Sequence, residues 1–477
     1  MPDSAPGTEI LQLSTEFPAV STADWEAAIR ADLKGADYEK KLVWRTDEGI
    51  AVRPYYRREN LPGLEAQLKS APGQFPFVRG TGKTWEIRQE PQSGNAIRAD
   101  LLHESGAHAV QELAYALAEG VERLDAIAAS SGVDAAAAQV QFVFAVGSNY
   151  FFEIAKLRAA RLLWAQAVAA FRPQNLDSGA MRLEVRTSRL NKSACDRYTN
   201  VLRATTEAMA AAIGGCDGLT VEAFGFSPRL AENIQHLIRE ESHLDAVADP
   251  AGGSYYIEAL TDALARDAWK LFQSVEAEGG YSKALAAGSI EKALAETRAA
   301  RRKAVSSRRK TLVGVNNYPN LSEKAPDAEV PPAEHGALPV FRLAEPFEKI
   351  RNRTVRHAAT AGRYPKVLLL KRGDVKMRMA RANFSMNFFG CAGFDIVEGE
   401  EYDGIGADLI VLCSSDAEYL PLAQEVCARV TVPVIVAGNP KEQIDALKAA
   451  GVAGFIHIQS DAVQTLTEWQ DRLGMKE

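Results

Sequence analysis

Phe151-Phe152-Glu153-Ile154-Ala155-Lys156-Leu157-Arg158-Ala159-Ala160-Arg161-Leu162-Leu163-Trp164 opens a long helix, and its surroundings decide the fold. Ile154, Leu157, Leu162 and Ala165 recur at helical spacing and share one broad face. Arg158 and Arg161 fall within that face, so paired, partly buried charges are expected there, while Lys156 points away. A strand-like run, Val140 to Val146, precedes the helix. A second strand (Met181 to Thr187), a helix (Ala194 to Ile213) and a third strand (Gly218 to Phe224) follow it. Strands alternating with helices imply parallel β/α units.

At 477 residues, with 47% hydrophobic residues, the chain is long enough for two or more domains with large cores. A net charge of −7 gives no reason to expect nucleic acid or an anionic membrane as partner. The basic clusters Arg301-Arg302-Lys303 and Arg308-Arg309-Lys310 follow an alanine-rich helix and read as a solvated helix end or linker rather than a phosphate site. Cys195, Cys216, Cys391, Cys413 and Cys427 are scattered, with no metal spacing, as in a reducing compartment. No signal peptide or membrane span is expected, which places the chain in the cytoplasm.

Residues 1–15 look unanchored, and an amphipathic helix from Thr22 to Leu33 follows, capped by Ser21 or Thr22. Such a helix often packs on a neighbour. Leu42–Trp44 and Ile50–Pro54 form a hairpin around Asp47-Glu48-Gly49. Candidate strands of the first large domain are 85–89, 96–102, 140–146, 181–187 and 218–224, with one more near 246–248. Gly106 to Leu124 is a helix, with Val110, Leu113, Leu117 and Val121 on one face. The Asp249-Pro250 and Gly252-Gly253 pairs make a turn before a helix from Leu260 to Glu278. A linker over 299–361 contains a Pro-, Glu- and Ala-rich middle, Ser322 to Leu338, and a helix starting at Glu345. Beyond it, strands Val367–Lys371, Gly393–Val397, Asp408–Cys413, Val434–Gly438 and Gly454–Ile458 alternate with helices, as in a small doubly wound domain.

The Phe151–Trp164 helix, the run Arg172 to Ser178, the run Tyr198 to Gly215, and Ala248-Asp249-Pro250-Ala251-Gly252-Gly253-Ser254-Tyr255 together resemble the acyl-CoA-binding barrel of the methylmalonyl-CoA mutases. The resemblance implies a TIM-type (β/α) barrel at 46–298, after a helical extension at 1–45. It also implies a flavodoxin-like domain at 362–477 that is similar to a cobalamin-binding domain. A complete barrel needs about 250 residues. Glu90 to Asn95 instead leads almost directly into a stretch that resembles a late barrel strand, so several units are missing after Gln89 and the barrel is incomplete.

Several positions resemble the non-catalytic small subunit. The family's cobalt-ligating histidine loop here reads Lys371-Arg372-Gly373-Asp374-Val375-Lys376-Met377-Arg378-Met379, with no histidine. His457, the nearest candidate, reads as structural, since a lone histidine lacks the second partner that orients a ligand. The family's active-site strand here reads Glu184-Val185-Arg186-Thr187, and the Asn and Glu of its adenosyl-contacting run are replaced by Glu222 and Phe226. His103 lies close to the family's active-site histidine, but at a different spacing from its neighbours. Ser414-Ser415-Asp416 either binds a ligand or caps a helix, and capping is favoured.

The resemblance therefore implies a heterodimer with a catalytic large subunit. That partner would carry adenosylcobalamin and interconvert (R)-methylmalonyl-CoA and succinyl-CoA, with no catalytic, cofactor or metal residue on this chain. The alternatives are a divergent cobalamin-dependent acyl-CoA mutase and a small-ligand-binding regulatory protein.

Overall fold

The computed structural model describes residues 19–82, 84–91, 94–323, 325, 330, 338–402 and 406–476. Residues 1–15 and most of the Ser322–Leu338 stretch lie outside the described residues. The chain divides into two compact units, Met1–Arg57 and Arg58–Glu477.

In the first unit, α1 (Thr22–Asp32) begins where Ser21 Oγ accepts from the Asp24 amide at 3.1 Å. It is followed by α2 (Tyr38–Leu42) and by the expected hairpin, β1 (Trp44–Arg45) against β2 (Ala51–Val52). Neither helix buries a residue; in the hairpin, Thr46 and Val52 are buried. Trp25 stacks on Tyr55 at 4.6 Å, and Arg57 lies over Trp25 at 5.4 Å.

The second unit begins with α3 (Glu65–Lys69), β3 (Glu86–Arg88), β4 (Ile97–Arg98) and α4 (Ala99–Glu104). Helices α5 (Ala109–Ser131) and α6 (Val133–Ala137) lead to β5 (Gln141–Val146) and α7 (Tyr150–Ala170). Then come β6 (Arg182–Thr187), α8 (Thr199–Ile213), β7 (Gly218–Thr220) and α9 (Pro228–His236). Three further helices follow: α10 (Tyr255–Ala277), α11 (Tyr281–Ala286) and α12 (Ser289–Ser306).

The five strands form one parallel sheet in the order β3-β7-β6-β5-β4. A parallel sheet covered on both faces needs near-continuous apolar strands. β5 supplies one, with Phe142 through Val146 all buried. The first strand in sequence, β3, pairs with the last, β7, so β3 and β4 form the two open edges.

Two expected strands are corrected. The 96–102 run yields only two strand residues, because Ala99-Asp100-Leu101-Leu102-His103-Glu104 coils into α4. Residues 246–248 form no strand; their turn presents Asp249 to Arg158 instead. The helix foreseen from Ala194 starts at Thr199, because Asn200 draws the preceding loop onto its side chain through Ser193. Residues 133–137 form the short helix α6.

After α13 (Glu345–Ala361), a second parallel sheet contains β8 (Lys366–Lys371), β9 (Asp395–Gly399), β10 (Leu409–Cys413), β11 (Val434–Ala437) and β12 (Val452–Ile456), in the order β12-β11-β10-β8-β9. Helices α14 (Val375–Gly390), α15 (Tyr419–Cys427), α16 (Ile444–Ala449) and α17 (Ala462–Arg472) intervene. One core joins this sheet to the mouth of the first: Leu190, Leu312, Val315 and Phe341 pack with Val367, Leu369, Phe388 and Phe389. Among the described residues, no helix is long and apolar enough to cross a membrane.

Candidate functional site

In parallel β/α folds, ligands and catalytic groups gather at the carboxyl ends of the strands. In the first sheet this mouth is formed by α4, by Gly147 after β5, by Ser188 and Arg189 after β6, and by Glu222 after β7. His103 lies at its centre. Its Nδ1 is 3.2 Å from Glu112 Oε2 and its Nε2 is 2.9 Å from Ser188 Oγ. Gly147 lets the ring sit close, since a Cβ there would meet Glu153 Oε1 at 3.2 Å and His103 Cε1 at 3.4 Å.

Serine, histidine and glutamate in this row have the order of a hydrolytic triad. Their surroundings remove the chemistry. Lys156 Nζ donates to Glu112 Oε2 at 2.7 Å and to the Ala145 carbonyl at 2.6 Å, and it lies 2.7 Å from Glu153 Oε2, so both carboxylates already share a cation. Burial, then Lys156, pushes the His103 pKa down to about 3. A base that weak does not take a serine proton at neutral pH. Ser188 is 1% exposed, so substrate has no approach to its hydroxyl.

Beside this row the mouth is crossed by ion pairs. Arg186 lies 3.1 Å from both Asp100 Oδ2 and Glu104 Oε1. Arg98 makes two 2.8 Å hydrogen bonds to Asp100. Arg189 pairs with Glu222 at 3.2 Å, and Arg88 with Glu184 at 3.5 Å. Burial pushes the pKa of Glu104 up, although Arg186 opposes it. Deeper in the loop after β6, Lys192 and Glu207 share a buried pair; burial drives the lysine pKa down and the glutamate pKa up.

The arginines of α7 are buried and paired as expected. Arg158 joins Asp249 and Glu258 (2.7 Å), and Arg79 reaches Asp249 from the other side at 3.0 Å. Arg161 clasps the amino ends of β6 and β7 through the carbonyls of Met181 (2.8 Å) and Gly215 (2.5 Å). Lys156 departs from the expectation, for it is 1% exposed and held by Glu112 and Glu153. Sequence reasoning also missed Asp100, Glu104 and Glu112. Their signal was the placement of acids among apolar residues at 99–117, which in a buried segment requires cationic partners.

In the second sheet the strand order reverses between β8 and β10, and the loop that would hold a cobalt ligand lies there. Glu418 occupies it. Its carboxylate accepts from Ser414 Oγ (2.8 Å), Ser415 Oγ (2.6 Å), and the Ser415 and Asp374 amides (both 3.2 Å), and these bonds bring its pKa down to about 2. A Cβ on Gly373 would overlap that carboxylate. The Ser414-Ser415-Asp416 turn is thus a cap: Ser415 and Glu418 form a capping box. Asp374 caps α14 by accepting from the Met377 amide at 2.8 Å. His457 follows β12 rather than lying on it, and its Nδ1 accepts from the Gln459 amide at 3.2 Å. Among the described residues, no three His, Cys, Asp or Glu side chains are grouped to hold a metal.

The family model for methylmalonyl-CoA mutase matches residues 95–360. A Porphyromonas gingivalis protein named methylmalonyl-CoA mutase small subunit is 33% identical over 619 aligned positions, covering 98% of this chain and 99% of the relative. That alignment is longer than the 477-residue chain, so it passes over more than a hundred positions that have no residue here. A Streptomyces virginiae protein of the same name is 36% identical over 80% of this chain, which spans 64% of that relative. A Cereibacter sphaeroides protein named methylmalonyl-CoA mutase is 42% identical over 46% of this chain and 32% of its own length. A parallel α/β protein with two five-stranded sheets and a charge-filled mouth is the class these features define. The chain belongs to the methylmalonyl-CoA mutase family.

Proposed function

We propose that this chain is a small, structural subunit of a methylmalonyl-CoA mutase, an isomerase, and that it acts in the cytoplasm beside a larger catalytic subunit. The partner would bind adenosylcobalamin and interconvert (R)-methylmalonyl-CoA and succinyl-CoA. The observation that carries the reading is the near full-length match to the P. gingivalis small subunit. The mouth geometry supports it: Arg186, Asp100 and Glu104 are joined across the mouth by ion pairs.

The residues present do not fit a cobalamin. The loop after β8 has no imidazole, and Glu418 fills the space under Gly373. Phe384 and Phe388 occupy α14, with Arg308 lying 5.3 and 5.8 Å from their ring centres. We therefore place no catalytic, cofactor or metal residue on this chain. The strand order β9-β8-β10-β11-β12 is that of flavodoxin-like sheets and supports a doubly wound domain over 362–477. The pairing of first strand with last supports an incomplete TIM-type barrel over 46–298, with the linker at 299–361 and the extension at 1–45. Because Glu418 already uses the Ser414–Ser415 turn, a small-ligand regulatory role gains no support there.

The test is co-expression with the large subunit of the same organism, followed by size-exclusion chromatography with light scattering. A 1:1 complex with mutase turnover, against none for this chain alone, is expected. Turnover by the purified chain with added cofactor would refute the reading.

A further inference from the structure

Five large apolar side chains crowd onto one exposed face. Tyr198 and Leu202, at the start of α8, are 68% and 67% exposed. Val313, Tyr318 and Leu321, in the segment after α12, are 45%, 65% and 42% exposed. The two segments are tied together, since Arg203 Nη2 donates to the Val313 carbonyl at 2.6 Å, and a Cβ on Gly314 would overlap Asp196. The face is also fixed from beneath: the Tyr318 amide donates to Asn387 Oδ1 at 2.7 Å.

Two features set this face apart from scattered surface leucines. Tyr318 has φ +52°, a left-handed conformation that costs a tyrosine energy, and it turns its ring to solvent. The rim is basic on a chain of net charge −7. Arg197 lies 4.9 Å from the Tyr198 ring centre and donates to its hydroxyl at 3.1 Å, while Arg203 stands against Val313. The neighbouring acids face inward. Glu323 pairs with Arg351 and accepts from the Asp196 amide, and Asp196 accepts from Thr199. Tyrosine and arginine on a preorganised apolar patch are the residues that dominate binding energy at interfaces.

We infer that this face, built from the first turn of α8 and residues 312–321, docks the larger subunit through a surface that is apolar at its centre and carboxylate-rich at its rim. This rests on the proposed function. The five apolar side chains of the face are exposed, so substituting them leaves the buried core untouched.

The experiment measures the affinity of the full-length chain for the co-expressed large subunit, comparing wild type with Leu202→Asp, Arg197→Glu and a control at the opposite, amino end of the sheet, Leu176→Asp before β6. Thermal melts verify that each variant folds. At least tenfold weaker association is expected for the two patch variants and none for the control. Wild-type affinity in both patch variants would overturn the inference while leaving the subunit reading intact. No complex with the wild-type chain would instead overturn the subunit reading itself. Self-association of the wild type that Leu202→Asp abolishes, with large-subunit affinity unchanged, would assign the face to a second copy and overturn the occupant named here.

Discussion

His103 makes the stability of the fold depend on pH in a way that can be worked out from its surroundings. The ring is buried against Ser188, Glu112, Glu153, Lys156 and Glu104, with Arg301 close enough to add to the repulsion, and it holds no proton until about pH 3. In the unfolded chain a histidine titrates near 6.5. Between these values the unfolded state binds a proton that the folded state refuses, so stability falls as pH falls from 6.5 toward 3. At pH 7 the effect is under about 0.2 kcal/mol; at pH 5 it reaches about 2 kcal/mol. Urea denaturation of wild type and His103→Gln at pH 7, 6 and 5 isolates it, because the surrounding carboxylates titrate in both proteins. The wild type should lose about 2 kcal/mol more than the variant between pH 7 and pH 5. Parallel losses would mean that His103 is protonated in the folded state and that Lys156 does not control its charge.

Arg158→Met leaves Asp249 and Glu258 buried with one cation fewer, and denaturant titration should show a loss of about 3 to 5 kcal/mol. Gly120→Ala would drive a Cβ to 2.8 Å from the Phe142 ring and 3.1 Å from Trp164, both fully buried. Overpacking of about 1 to 3 kcal/mol then outweighs the alanine helix preference of about 1 kcal/mol, and a lowered melting temperature is the outcome to look for. Titrating adenosylcobalamin into the purified chain should leave the corrin absorbance unchanged, whereas a spectrum showing displacement of the lower base would contradict the reading of the loop after β8.

Much of this arrangement was legible in the residues. The apolar runs of β5 and β6 and the turn at Asp249-Pro250 carry their structure locally. The capping role of Ser415 was legible for the same reason: a serine before an acidic turn satisfies helix amides whatever lies around it. The burial of Lys156 was not. Helical periodicity identifies one buried face, but α10 packs on α7 opposite the sheet, so almost every side of α7 is covered. The mouth network was hidden for a related reason. Asp100, Glu112, Lys156 and Arg186 are far apart in sequence, and only the parallel register of β4, β5 and β6 gathers them. The 96–102 run misled because its alanines and leucines suit a helix as well as a strand, and periodicity cannot choose over so short a stretch.

The pairing of β3 with β7 bears on how the chain folds. Ile87 sits opposite Leu219, so this seam cannot form until the intervening helices and three strands have been gathered in. Contacts this distant in sequence slow folding, since chain entropy is lost before the pairing returns any energy. Loop closure grows only logarithmically with length, at about 0.6 kcal/mol per doubling. A relative with a further hundred or more residues between these two strands would therefore meet only a slightly larger entropic cost at the seam. Under the proposed incomplete barrel the chain gains little in closure, and it would lose strands that shield the outer edges of β3 and β4 while the seam is still open. During synthesis those edges, rather than the seam, are where unwanted strand pairing between chains would begin.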